Sequence, residues 1–366
     1  MIRVIKPVLI SITVLILCGV SEYSFASPPN ISGVSGEIGH KQLVKINGNN
    51  FGSKRDGSPL KYDNFEKGSA GRQVLAEGSG GWETTTSKGS SYAPSYSTGK
   101  VRYSGTQSLY QNFTGGNYTN YIKLSQSTIP SGTRKLYVSG WFNLETGGAP
   151  SRNTKILNMG ACNGWQTRLD VYPNNGSGHL YANDGRYQDW GPNVDKALKN
   201  DGHWHRLEGW LDLGSGYRDV SMDLKKIAQI SGSFVSSSCG LTYLLIGHYF
   251  ATDTGSPQPW AKRYWDEIYV DTSQARVEIG DNANWDSCSH REIQIPTSWS
   301  NSSIEVRVNQ GSFAKGANNY LFVVNEAGEV SGGYKVTFGQ AGNGGGNGDD
   351  QDTIEAPTNL RIVDSN

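Results

Sequence analysis

Two histidines stand two residues apart in Asp201-Gly202-His203-Trp204-His205, and Arg206, Glu208 and Trp210 follow. On a strand this spacing puts His203 and His205 on one face, with Trp204, Arg206, Glu208 and Trp210 on the other. Such a pair suits a metal ion or proton transfer. Carboxylates are the second resource. Retaining glycoside hydrolysis needs two of them about 5 Å apart, which a strand offers at i and i+2 or i+4. In Asp266-Glu267-Ile268-Tyr269-Val270-Asp271, alternation groups Asp266, Ile268 and Val270 on one face and Glu267, Tyr269 and Asp271 on the other. Glu267 and Asp271 imitate such a pair only loosely, and a role in holding the strand suits them better. His179, His248 and His290 stand alone.

Sugar recognition is the third chemistry. Aromatic faces pack on sugar C–H surfaces, while Asn, Asp, Gln and Arg bond the hydroxyls. Residues 183–190 offer both in one Gly-turned loop through Asp184, Arg186, Tyr187, Asp189 and Trp190. Trp165, beside Asn163, and Trp260, near Tyr249, Asp253 and Gln258, extend the set. Trp165, Asp184, Arg186, Tyr187, Asp189, Trp190 and Trp260 are therefore the candidate ligand-binding residues, against the plainer reading of a solvated loop with its aromatics tucked down. No residue is assigned a catalytic role.

The elements that position these groups are strands. The 366 residues include 47 Gly, 19 Tyr and 10 Trp but 3 Met. Gly at about twice the average of roughly 7 %, with abundant aromatics, Ser and Thr, disfavours helix and favours short strands with tight turns. Helical bundles and dinucleotide-binding α/β folds are excluded. Lys+Arg and Asp+Glu both total 33, so no net field draws the chain to nucleic acid or an anionic membrane. Residues 1–26 read as a secretory signal: Arg3 and Lys6, an apolar run over 8–17, then Ser24-Phe25-Ala26 as cleavage site. The run is too short for a transmembrane span. Lipidation at Cys18 is the rival reading. Removing the segment takes away Arg3, Lys6 and Glu22, leaving 31 basic against 32 acidic residues. The expected location is secreted, periplasmic or cell-surface. There Cys162 and Cys239, in the same central block, are the preferred disulfide, though Cys288 could replace either.

Organisation follows from composition and motif. Val44 and Ile46 alternate with polar neighbours and lead to Gly48-Asn49-Asn50-Phe51-Gly52. With Pro29-Asn30-Ile31 before it, this resembles the opening of an IPT/TIG domain, a small immunoglobulin-like sandwich. Trp299-Ser300 leading to Ile304, and Val324-Asn325 leading through Gly328 to Ser331, resemble that family's later strands. The expectation is a sandwich split into 28–55 and 275–339, with 60–272 inserted at a loop.

Within the insert, Ser104-Gly105-Thr106-Gln107-Ser108-Leu109, Asp201-Gly202-His203-Trp204-His205 and Asp266-Glu267-Ile268-Tyr269-Val270 resemble, in order, motifs of laminin-G-like, concanavalin A-like domains. The resemblance implies two packed antiparallel sheets and glycan or protein binding. It makes His203 and His205 part of the fold signature, and it allows a calcium ion on Asp184, Asp189 or Asp253 with no other cofactor. Trp204 and Trp210 are expected in the core. The carboxylate and Arg/His strings of laminarinase-like and alginate-lyase-like branches are absent. A Gly-rich linker at 340–355 precedes 356–366, which resembles the first strand of a fibronectin type III module, so a truncated frame is expected.

The fold class expected is thus all-β: a concanavalin A-like two-sheet jelly roll plus a small immunoglobulin-like sandwich. The function expected is non-catalytic binding of a polysaccharide or matrix glycan. A polysaccharide lyase or glycoside hydrolase is the alternative, and a structural spacer in an adhesin-like protein the third reading.

Overall fold

The computed structural model describes residues 27–74, 81–86, 92–103, 105–113, 118–144, 154–164, 166–172, 177–182, 187–189, 201–232, 235–250 and 262–342. The export segment, most of the linker and the fibronectin-like strand lie outside them.

The described residues are all-β. In chain order the strands are β1 (Asn30–Ser35), β2 (Leu43–Asn49), β3 (Lys61–Asp63), β4 (Glu83–Thr86), β5 (Ser95–Ser97), β6 (Ser108–Asn112), β7 (Tyr118–Ser125) and β8 (Lys135–Leu144). Then come β9 (Thr154–Ala161), β10 (Gln166–Tyr172), β11 (Ser177–Ala182), β12 (Tyr187–Asp189), β13 (Trp204–Asp212), β14 (Tyr217–Met222) and β15 (Lys225–Ile230). The last are β16 (Leu241–Phe250), β17 (Lys262–Asp271), β18 (Arg276–Gly280), β19 (Arg291–Trp299), β20 (Ser303–Arg307), β21 (Asn318–Val324) and β22 (Tyr334–Thr337).

The two ends of the described chain share one sheet, ordered β1-β2-β20-β19-β18-β21-β22. Val44 pairs with Val306 and Ile46 with Ile304, so strands about 260 positions apart bury matched β-branched side chains. β19 changes partners midway: Glu292 to Gln294 face β18, whereas Ile295 to Trp299 face β20. The sheet folds over at this strand and encloses a core that includes Val34, Phe51, Val277, Val323 and Phe338. Gly48 is required, because a Cβ there would lie 2.0 Å from the Asn30 carbonyl oxygen. Gly52 completes the turn at φ +72°.

The intervening residues form two further sheets, β12-β11-β10-β9-β16-β7-β4 and β15-β14-β13-β8-β17-β6-β5, with β3 paired to β17. Alternation supplies the core between them. Leu207 and Leu211 of β13, Leu244 and Ile246 of β16, and Phe142 of β8 all turn inward. The structure joins Cys162 to Cys239, and Cys288 is free and buried.

Three local readings of the sequence need correction. Trp204 and Trp210 are not in the jelly-roll core. They sit on the outer face of β13, where Trp210 packs with Tyr137, Tyr269 and Ile293 beneath the flanking sandwich and Trp204 is half-buried. The strict alternation along β17 is also broken. Its register shifts between Asp266 and Tyr269, and Glu267 takes φ +48°. This β-bulge sends Trp265, Ile268 and Val270 to the core, and Asp266 no longer shares a face with Ile268 and Val270. Finally, Tyr187 to Asp189, read as loop, form the edge strand β12.

Candidate functional site

Arg206, Glu208 and Trp210 leave β13 on the face opposite Leu207, and Tyr137, Ser139 and Trp141 stand beside them on β8. The flanking sandwich covers this face with β18 and β19. Charges met there are taken out of water, which is costly unless each is paired. Glu278, fully buried, meets that demand with three guanidinium groups. It accepts from Arg276 Nε at 2.6 Å, Arg206 at 2.7 Å and Arg291 Nε at 3.1 Å. Arg206 also reaches Glu208 (3.0 Å), Ser139 (3.1 Å) and the Arg291 carbonyl (3.0 Å). Burial alone would raise the Glu278 carboxyl, but the three arginines outweigh it and hold that group well below the usual carboxylate range.

A second cluster lies beside the first. Arg102, from the loop before β6, lays its guanidinium 3.7 Å over the Trp141 ring and pairs with Glu292 and, at 3.6 Å, with Glu267. Glu292 also meets His290 Nε2 at 2.8 Å. Burial works to raise Glu292, yet Arg102 and His290 bring it down to about 2. Asn309 donates to Glu267 at 2.9 Å, which fixes the bulged residue despite its left-handed backbone. Asp266 accepts from the Glu267 amide at 2.7 Å, but burial and the neighbouring Glu267 charge raise its carboxyl well above its ordinary value. Lys54 closes the far side, donating to Asp271, to Tyr269 Oη (3.0 Å) and to the Ala275 carbonyl (2.8 Å).

Where this junction opens to solvent it leaves a cleft of about 700 Å³, within the range of small-molecule sites. One wall is jelly roll: Trp141, Trp204, His205 and the β14–β15 turn. The other is flanking sandwich: Trp285, Asp286, Ser289 and His290. Trp285 stands on a short 3-10 turn (Trp285–Ser287) capped by Asn284 Oδ1, which accepts from the Asp286 and Ser287 amides. The Arg291 guanidinium lies 3.5 Å from the Trp285 ring centroid. Trp204 is held by its indole N–H, which donates to the Val101 carbonyl at 3.1 Å.

The rim turn is strained and pinned. Met222 pairs with Lys225 across a two-residue turn in which Asp223 and Leu224 both have positive φ, 46° and 68°. Such turns ordinarily use Asn and Gly. Asp223 secures this one. Its amide donates to the Arg206 carbonyl (2.9 Å), and its carboxylate accepts from the Arg206 amide (3.1 Å) and meets His205 Nδ1 (2.8 Å). The other ring nitrogen of His205 meets Asp201 at 2.9 Å. Burial works against the imidazolium, but the two carboxylates prevail and raise the His205 pKa above its ordinary value.

Both nitrogens of His205 are taken, His290 Nε2 is shared by Glu292 and Ser312 (2.9 Å), and Arg206 and Arg291 are spent on Glu278. Lys225 and Asp286, one of each sign, are the exposed charged side chains in the described lining. His203, the other half of the histidine pair, is 80 % exposed and 3.3 Å from Asp201. Among the described residues no group of three or more His, Cys, Asp or Glu is placed to hold a metal ion.

Of the loop candidates, Asp184, Arg186, Trp190, Trp165 and Trp260 lie outside the described residues, as do the side chains of Tyr187 and Asp189 and the calcium candidates Asp184, Asp189 and Asp253. The backbone register still places Tyr187 and Asp189. Tyr187 pairs with Tyr181, which pairs with Arg168, then Asn158, Leu245 and Lys123. Asp189 pairs with His179, then Asp170 and Lys155. Sequence reasoning named neither the cleft nor these rows. The one local signal for the cleft is the His203 and His205 pair, which the sequence reading assigns to the fold signature.

No family model matches the chain, and no curated protein matches its sequence. Several solved structures resemble it over a little more than half its length. A cellulose-induced protein shares 16 % identity at a TM-score of 0.42, over 58 % of this chain and 97 % of its own. A PL-14 alginate lyase from Aplysia kurodai shares 11 % at 0.41, over 58 % and 98 %, and an alginate lyase from a Chlorella virus 13 % at 0.40, over 58 % and 99 %.

Proposed function

We propose that the protein is an exported, non-catalytic glycan-binding protein, in which a laminin-G-like jelly roll and a split IPT/TIG-like sandwich jointly form the binding cleft. The observation that carries this reading is the cleft itself. It combines three tryptophans, Trp141, Trp204 and Trp285, with Asp223, Asp286 and Ser289 on walls fixed by buried ion pairs. Aromatic faces and hydroxyl-bonding groups on a rigid frame are what sugar recognition requires, and rigidity lowers the cost of binding. The titratable groups deep in the cleft are paired with one another, which favours holding a ligand over transforming it. A glycan array tests this: the wild type should give hits that Trp204→Ala loses while keeping its thermal midpoint. An array without hits, or hits untouched by Trp204→Ala, would remove the cleft from the account.

A second reading has its own observation. The backbone register sets Arg168, Asp170, His179, Tyr181, Tyr187 and Asp189 in neighbouring rows with Lys155 and Asn158. These residue types serve proton transfer and charge stabilisation in polysaccharide lyases and hydrolases. New reducing ends or unsaturated products from mixed polysaccharides, abolished by His179→Ala, would establish that reading. Their absence would leave binding alone.

A further inference from the structure

Between β2 and β3 the chain passes from the sandwich to the jelly roll, and between β17 and β18 it returns. Lys54 from the first crossing and Asp271 from the second meet there, with side chains 0 % and 4 % exposed. Lys54 Nζ donates to Asp271 Oδ2, to Tyr269 Oη at 3.0 Å and to the Ala275 carbonyl at 2.8 Å. The Tyr269 and Trp299 ring centroids each lie 5.6 Å from it. The carboxyl is held on both oxygens. Oδ2 accepts from the Tyr269 hydroxyl at 2.9 Å, and Oδ1 accepts from the Thr272 amide at 2.7 Å. A buried ion pair must repay the desolvation of both charges. Here burial is the largest influence on each partner. It lowers the Lys54 pKa despite Asp271, with the Arg276 charge adding to the effect, and it raises the Asp271 pKa despite Lys54. Both shifts favour a free amine beside a carboxylic acid.

We infer that Lys54 and Asp271 condense to an isopeptide bond that joins the two crossings covalently. Transfer of one proton from Nζ to Oδ2 gives both neutral forms and frees the Nζ lone pair. That pair attacks Asp271 Cγ, and the C=O electrons move to Oδ1, where the Thr272 amide receives the charge. A second proton passes from Nζ to Tyr269 Oη while the Tyr269 hydroxyl gives its own to Oδ2. The Cγ–Oδ2 bond breaks, one water leaves and the Cγ=Oδ1 bond re-forms; nothing is oxidised or reduced. In bulk water the ionised amine and acid resist this condensation. Burial suppresses their ionisation, and reactants held in place reach effective molarities of about 10⁵–10⁸ M. The bond closes a loop across 217 positions that contains the whole jelly roll. Tension on the chain outside that loop then runs through the sandwich and bypasses the jelly roll. The inference is independent of what the cleft binds.

Peptide mapping of the purified full chain by tandem mass spectrometry tests it. Trypsin should leave residues 46–55 joined to residues 264–276, lighter by one water than the two peptides together, and should not cut after Lys54. Lys54→Arg should release the two peptides separately. Tyr269→Phe keeps the ring and loses the relay, so it should leave most chains unlinked while retaining its fold by circular dichroism. Wild-type chains that yield separate 46–54 and 264–276 peptides would overturn the bond. Complete linkage in Tyr269→Phe would overturn the role of Tyr269. Under force, with the disulfide reduced, Lys54→Arg should release about 750 Å of extension that the wild type withholds, from 217 positions at about 3.5 Å each. Equal extension in both would overturn the load path.

Discussion

Replacing Glu278 by Gln would test whether the two sandwiches are joined as described. Glutamine keeps the volume but loses the charge and turns one acceptor into a donor. Arg206, Arg276 and Arg291, now within 2.6 to 3.1 Å of that carboxylate, would face each other without it. Removing one partner of a buried pair costs about 3–5 kcal/mol, because the remaining charges are stranded. In a chain of this size that corresponds to a fall in thermal midpoint on the order of 5 °C. The assay is scanning calorimetry beside Lys123→Gln, which breaks the exposed pair with Glu83 (3.1 Å) and should cost under about 1 kcal/mol. Acid adds a second readout. The folded-state pKa of Glu278 is depressed, so its contribution is present above the unfolded value near 4.5 and is lost as pH falls through the folded value. Glu292, at about 2, adds to the same loss. Wild type should therefore lose stability steeply below about pH 4, and Glu278→Gln should lose less. A variant within about 1 kcal/mol of wild type at neutral pH would refute the reasoning.

The cleft rim supplies two more tests. The His205 pKa is raised when folded, so its clamp on Asp201 and Asp223 is complete below the ordinary value near 6.5 and weakens as pH rises through the folded value. The stability gap between wild type and His205→Gln should accordingly narrow from acid to alkaline pH in urea titrations, and a gap constant with pH would contradict the clamp. Leu224→Gly should raise the thermal midpoint, since a non-Gly residue in the left-handed region costs roughly 1–2 kcal/mol and Leu224 sits at φ 68°. A lowered midpoint would show that its packing outweighs the strain.

What could be read from the residues alone, and what could not, has a consistent physical cause. The alternation of Val44 and Ile46, and of Leu207 and Leu211, is legible because period-2 patterning reports which side of a strand is buried. It does not report what covers the other side. Trp204 and Trp210 therefore read as core of their own domain, although Trp210 meets Ile293 from a strand some eighty positions away. The bulge at Glu267 carries no glycine or proline to announce it, and it is stabilised by Asn309 and Arg102 from distant parts of the chain. The candidate site shows the same divide. His203 and His205 attracted notice as a pair, yet the partners of His205 are Asp201 in the preceding turn and Asp223 at a hairpin tip, which only pairing of β13 with β14 brings close. The Glu278 cluster is less legible still, since its three arginines come from three different strands.

The central claim is that the cleft between the two sandwiches, including its rim turn, is where a glycan sits. Amide hydrogen exchange with and without a glycan that binds on the array tests it most directly. The account predicts slowed exchange at the turn over 222–225 and in the segment over 285–290. Protection confined to 183–190 and 251–261, with none at those two places, would contradict it.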